Sequence, residues 1–168
     1  MIMRMASIDD CEGIAKVHLE SWKTTYAGII ADSYLAGLTL EGRIRNRLLA
    51  FNHPQPDEMT FVAEEPDGRI VGFISGGKCR EADLVYDAEV YAVYLLKEAQ
   101  GLGYGRRFFT KMAAALKARG YSSLMLWVLR DNPALHFYEK MGGAVIGSKE
   151  IQIGEQLLIE TALGWKVI

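Results

Sequence analysis

Cysteine is scarce in this 168-residue sequence: Cys11 and Cys79 are too few for a disulfide framework or a zinc site of their own, so a reducing compartment is expected. Four prolines, and 17 glycines without a repeat, exclude a collagenous or low-complexity chain. Neither sign of charge dominates. Nineteen Lys and Arg stand against 21 Asp and Glu, a formal net charge of −2, whereas a general nucleic-acid binder carries a basic surplus. No apolar run reaches transmembrane length, and Met1 to Met5 carries Arg4 without the apolar core of a signal peptide. The expected address is therefore the cytoplasm, with no membrane partner. His18, His53 and His136 are too dispersed to suggest a metal set, and no metal is expected; His18, on an apolar stripe, reads as a core histidine. What remains is an ordinary globular mixture, 50% hydrophobic and 24% charged, whose length suits one domain over residues 1–168.

Periodicity divides the chain. Ile2 to Met5 is a strand candidate, and Ser7-Ile8-Asp9-Asp10 supplies a capping-box start. Cys11, Ile14, Ala15, His18, Trp22 and Tyr26 then recur at helical spacing. A second helix is expected from about Asp32 to Leu49, closed by His53-Pro54-Gln55-Pro56. Met59 to Glu65 and Arg69 to Cys79 read as strands around the turn Glu65-Pro66-Asp67-Gly68. Ala88 to Leu96 is apolar on both faces, Val90, Ala92 and Tyr94 alternating with Tyr91, Val93 and Leu95, as in a central strand. Phe108, Phe109, Met112, Ala113 and Leu116 mark a helix that ends at Gly120. Ser123 to Leu129 is a buried strand, Asn132-Pro133 opens a short helix to about Met141, and strands from Ala144 to Ile153 and Gln156 to Trp165 meet at Gly154-Glu155. The order β-α-α-β-β-β-α-β-α-β-β describes a mixed α+β domain.

Between the central strand and the next helix stands Gln100-Gly101-Leu102-Gly103-Tyr104-Gly105-Arg106. Glycines let successive amides turn inward, and a helix start adds unpaired N–H groups, so such a turn suits a phosphate or pyrophosphate. A dinucleotide fingerprint needs glycine where Arg106 stands and an acid about 20 residues on, but Tyr121 to Leu129 contains none. A nucleotide P-loop needs a longer glycine spacing and a Lys-Ser/Thr pair, which are missing. A tight turn that binds nothing is the third reading.

Gln100, Gly103 and Gly105 also fill the pattern Gln/Arg-x-x-Gly-x-Gly/Ala, and Asn132 to Gly142 fills Asn-x-Ala-x-x-Phe-Tyr-x-Lys-x-Gly. On these segments and the element order, the sequence resembles the GCN5-related N-acetyltransferase (GNAT) superfamily, most firmly from Glu89 to Gly142. It departs at Lys97, where many relatives carry proline, and at Gly143, where phenylalanine is common. The resemblance implies a mixed, mostly antiparallel sheet of about seven strands flanked by about four helices, with a cofactor cleft between two splayed central strands. It also implies acetyl transfer from acetyl-CoA to an amine, that of a small molecule in the favoured reading. The cofactor would use Gln100, Gly101, Leu102, Gly103, Tyr104, Gly105 and Arg106 for its pyrophosphate, and the strand at Val93, Tyr94 and Leu95 for its pantetheine arm. Asn132 and Ala134 would complete the contacts, although a helix cap alone equally explains Asn132. Relatives are often dimers, so a homodimer is an open expectation.

The chemistry narrows the remaining choices. A primary alkylamine with a pKa near 10.4 is neutral in only about one molecule in 2,500 at pH 7, so attack on a thioester needs a route for the proton. Glu89 is the only acid in the run Ala88 to Leu96. Burial would raise its pKa toward that of a useful base, and it stands where several relatives carry a glutamate that deprotonates the amine, often through water. The competing reading is a strand-entry carboxylate facing solvent. Tyr138 matches the family's general acid for the leaving thiolate; otherwise it is a packed tyrosine. Trp22 and Tyr26 fit either an acceptor pocket or plain core. Glu81, Asp83 and Asp87 fit either a lure for a cationic amine or a solvated loop. A non-catalytic CoA-binding module on the same fold is the alternative function, and it needs neither Glu89 nor Tyr138.

Overall fold

The computed structural model describes residues 1–81 and 85–168. Strand β1 (Ile2–Met5) passes into helix α1 (Cys11–Thr25) through a single 3-10 turn. There the Asp10 carboxylate accepts the Ser7 amide at 2.7 Å and both Arg4 Nη atoms at 2.8 Å, so the capping box forms with aspartate in the glutamate position. The helix expected from Asp32 to Leu49 is two helices, α2 (Asp32–Ala36) and α3 (Leu40–Asn52). Thr39 is the cause: its backbone is extended and its hydroxyl accepts the Gly42 amide at 3.2 Å, which restarts the helix as an N-cap. The flanking helices therefore number five among the described residues. The other elements follow in the expected order: β2 (Met59–Glu64), β3 (Ile70–Lys78), β4 (Ala88–Leu95), α4 (Tyr104–Ala118), β5 (Leu124–Leu129), α5 (Ala134–Lys140), β6 (Ala144–Ile153) and β7 (Gln156–Trp165).

The strands make one seven-stranded sheet in the order β1-β2-β3-β4-β5-β7-β6, antiparallel throughout except for the β4–β5 pair. Side chains alternate across β3 and so divide the helices between two faces. Phe73 lies 5.7 Å from the ring of His18 on α1, while a Cβ on Gly72 or Gly76 would press on Phe108 or Met112 of α4. Helix α4 buries Phe108, Phe109, Met112 and Leu116, the stripe expected from its periodicity, and each such side chain stabilises the fold by about 1.5–3 kcal/mol. The departure at Gly143 has a steric reason. A Cβ there would come within 2.7 Å of Trp165, whose indole stacks on Phe109 at 4.6 Å and donates to the Met141 carbonyl at 2.9 Å. Trp165 already fills the space a phenylalanine would need.

His18 is partly buried, packed 4.7 Å from the Tyr94 ring, and among the described residues no group of His, Cys, Asp or Glu is placed to hold a metal ion. Burial, reinforced by Arg43 and Arg47, pushes its pKa down to about 3. The unfolded chain takes up a proton near pH 6.5 that the native state refuses until about pH 3, so this contribution is present above pH 6.5 and is lost as pH falls toward 3. One proton is worth at most about 1.4 kcal/mol per pH unit. Urea unfolding at pH 7 and pH 5 is expected to show a smaller loss in His18→Phe than in the parent. Equal losses would mean that His18 is not the group responsible.

Candidate active site

The sheet opens where β4 leaves β5. The two pair only through Ala88–Leu124, Glu89–Met125 and Val90–Leu126. On the other side of β4, Ser75 pairs with Ala92 and Gly76 with Val90, so Tyr91 is a bulge with no opposing residue. A bulge bends its strand and increases the local twist, which peels β4 away from β5. It also inverts the alternation, so that Val90 faces α4 while Ala92 and Tyr94, opposite Ser75 and Phe73, face α1. The uniform alternation read from the sequence breaks at Tyr91. The resulting cleft, about 1230 Å³, is walled by the diverging halves of β4 and β5 and closed by α1, α5, β6 and β7.

One rim of this cleft is bare strand backbone. Leu96 N–H donates to the Val71 carbonyl at 2.9 Å, so alternation turns the N–H and C=O groups of Leu95 and Val93 away from β3. The Leu95 carbonyl is taken by Ser21 Oγ at 3.2 Å and Gln100 Nε2 at 3.0 Å. The amides of Val93 and Leu95 remain at the open edge. Tyr94 differs from its neighbours: its backbone faces β3, and its hydroxyl accepts Trp22 Nε1–H at 3.0 Å. At the end of the rim, Gly101 and Gly103 take φ values of +75° and +82°, and Gly103 caps the fifteen-residue helix α4. Gln100, Gly101, Gly103, Gly105 and Arg106 line the cleft, whereas Leu102 and Tyr104 do not. Gly105 sits against Phe137 of α5, where an added Cβ would be 3.3 Å from the ring. Asn132 and Ala134 both line the cleft, and the Asn132 Oδ1 accepts the Ala134 amide at 2.9 Å, so the capping reading of Asn132 holds.

Glu89 does not face solvent. It is 1% exposed, and Arg80 holds it through its backbone N–H (3.0 Å) and Nε (3.1 Å) to Oε2 and its Nη2 (2.7 Å) to Oε1. Each carboxylate oxygen accepts two bonds, so Oε1 keeps one free position. Tyr138 is buried beside Phe109 and Phe137, and its hydroxyl has no hydrogen-bond partner in the protein among the described residues. Burial, and to a lesser extent Tyr94, raises its pKa above the ordinary phenol value. Trp22 and Tyr26 both line the cleft, 4.9 Å apart; Tyr26 also packs with Ile30, Leu35 and Leu129, so the core reading is also true of it.

The sequence reading missed Arg80, Trp127, Lys149 and Glu160, all of which line the cleft. Glu81 accepts from Lys149 Nζ at 2.9 Å and from Trp127 Nε1 at 3.1 Å. Glu160 stands on β7 in register with Leu129 on one side and Lys149 on the other. Only side-chain parity on the last two strands hinted at Lys149 and Glu160, because their approach to the cleft depends on β7 lying next to β5. Asp87 is used elsewhere. Against the cost of burial, bonds from the amides and hydroxyls of Ser122 and Ser123 lower its pKa to about 2 and anchor the start of β5. Asp83 lies outside the described residues.

A bulged strand, an open backbone edge and a glycine-capped helix start thus lie in one cleft. The family model of the acetyltransferase (GNAT) family matches residues 23–143, a span that includes all three. The chain belongs to that family. A Bacillus subtilis (strain 168) protein described as the uncharacterized N-acetyltransferase YuaI is 37% identical over 166 residues, covering 97% of this chain and 91% of its own. The spermidine N(1)-acetyltransferase of Thermoplasma acidophilum is 28% identical over 144 residues, covering 83% of this chain and 86% of its own. Among solved structures, the PaiA N-acetyltransferase of T. acidophilum in complex with coenzyme A superimposes with a TM-score of 0.69 at 25% identity, covering 95% of this chain and 98% of that one. The GNAT match stops before β6, so Lys149 and Glu160 lie beyond it.

Proposed function

We propose that this GNAT enzyme transfers the acetyl group of acetyl-CoA to the amine of a small molecule. The observation that carries the reading is the continuity of the open β4 edge, through the Gln100–Leu95 bond, with the glycine-capped start of α4. Val93 and Leu95 offer strand-like amides to the amides of a pantetheine arm, as in strand addition to a sheet edge. Gly101 and Gly103 free the loop amides and the helix start for a pyrophosphate, and Arg106 adds positive charge. Acetyl-CoA supplies an acetyl group activated as a thioester. Edge amides on β4 can stabilise charge on the carbonyl oxygen during direct attack by the amine. Glu89, oriented by Arg80, takes the amine proton at the free position of Oε1, directly or through a water. Tyr138 donates a hydrogen bond to the sulfur, which departs as the thiolate. The T. acidophilum relative that acetylates spermidine supports a small amine as the acceptor.

Calorimetric titration with acetyl-CoA, followed by thiol-release assays over a panel of amines, tests the reading. Binding with acceptor-dependent thiol release is expected, and a folded protein that binds no acetyl-CoA would reject it. Gly103→Val tests the loop separately. A β-branched residue at φ +82° costs about 1–2 kcal/mol of strain and tilts the loop amides, so affinity for CoA is expected to fall at least tenfold. Unchanged affinity in a folded variant would remove the pyrophosphate from this turn.

A further inference from the structure

Two carboxylates on the α1-facing side of the cleft have cations of their own, and a third has none. Arg80 holds Glu89 at 2.7 Å and Lys149 holds Glu81 at 2.9 Å. Glu160 lines the same cleft, half-buried, and among the described residues it makes no hydrogen bond or ion pair. Lys149, opposite it across the β6–β7 pair, is committed to Glu81, with its ammonium 4.0 Å from the centre of the Trp127 ring. The other lining cations, Lys97 and Arg106, flank the glycine turn at the other end. This part of the cleft therefore holds three carboxylates against two cations, and the unmatched charge is on Glu160.

A carboxylate drawn out of water without a partner is costly, and a cation arriving in the cleft offsets that cost. Burial raises the pKa of Glu160, with Lys149 and, less strongly, Arg80 opposing the shift and Glu81 and Glu89 adding to it. Its position also selects the shape of that cation. Glu89 is in register with Met125 and Glu160 with Leu129, on one face of β5. Four residues along β5 and the two strand spacings across it separate the two positions by about 16 Å. One ammonium group cannot serve both, but a flexible molecule with two can, and Trp127 and Leu129 provide an apolar wall for the carbons between.

We infer that Glu160 anchors a second ammonium group of the acceptor, so that this enzyme prefers alkyl di- or polyamines to monoamines. The inference rests on the acetyltransferase reading for the identity of the reacting amine, but the anchor can be measured by binding alone. Diaminoalkanes of six to ten carbons and the monoamines of equal length are titrated into the parent and into Glu160→Gln, each with and without CoA. The parent is expected to bind its best diamine at least tenfold more tightly than the matching monoamine, and Glu160→Gln to lose most of that difference. Because the exchange keeps the shape and removes an unpaired charge, Tm is not expected to fall. The same loss is expected in the diamine-to-monoamine ratio of kcat/KM. Equal binding of the two amines by the parent, no amine binding at all, or a preference that survives in Glu160→Gln would overturn the anchor. Diamine binding without acetyl transfer would instead overturn the functional reading and leave the anchor standing.

Discussion

Glu89→Gln is expected to lower kcat about 10²- to 10⁴-fold near neutral pH, the range for losing a positioned general base. The exchange keeps the shape and leaves Arg80 an oxygen to bond, so circular dichroism and acetyl-CoA affinity are expected to change little. What disappears is the basic position on Oε1, the one Glu89 acceptor site that Arg80 does not occupy. The deficit is expected to shrink as pH rises, because free amine becomes abundant and the base has less to do. Arg80→Met is the companion variant. It leaves a 1%-exposed carboxylate without its cation, so it is expected to lose stability as well as rate, whereas Glu89→Gln loses rate first. A pH–rate profile for Glu89→Gln that parallels the parent would reduce Glu89 to the structural partner of Arg80.

Tyr138→Phe is expected to lower kcat about 100-fold, at the lower end of the range for an acid or base group. The structure explains the smaller figure. Burial and Tyr94 raise the phenol pKa, which keeps the hydroxyl protonated and available as a donor throughout the assay range. The same shift makes full proton transfer to a thiolate of pKa about 8.5 uphill, so the hydroxyl acts mainly by donating a hydrogen bond as charge develops on sulfur. Packing against Phe109 and Phe137 does not need the oxygen, so Tm and cofactor affinity are expected to survive the change. A kcat within twofold of the parent would make Tyr138 a packing residue; a loss confined to KM would assign it to substrate positioning.

Much of this molecule is legible one segment at a time. Helical stripes, strand runs, the glycine turn and the Asn132–Pro133 helix start stand where the sequence places them, because period, capping and turn chemistry act over a few residues. The division at Thr39 was missed because a single N-cap hydroxyl there outweighs a helical pattern that otherwise continues. Gly143 was visible as a departure, but Trp165, the reason for it, is more than twenty residues away and meets it only in the fold.

By itself the sequence determined the α+β element order, and it singled out the glycine turn, Glu89 and Tyr138 as the candidates for cofactor binding and proton transfer. Tertiary structure alone decided what those groups touch. Arg80 reaches Glu89 from the segment before β4, and the bulge at Tyr91 directs Tyr94 toward α1. Glu160 enters the cleft because β7 inserts between β5 and β6. These are non-local facts: a register shift of one residue, or a different strand order, would turn each of these side chains elsewhere without changing any local pattern, since neighbouring side chains on a strand point to opposite faces.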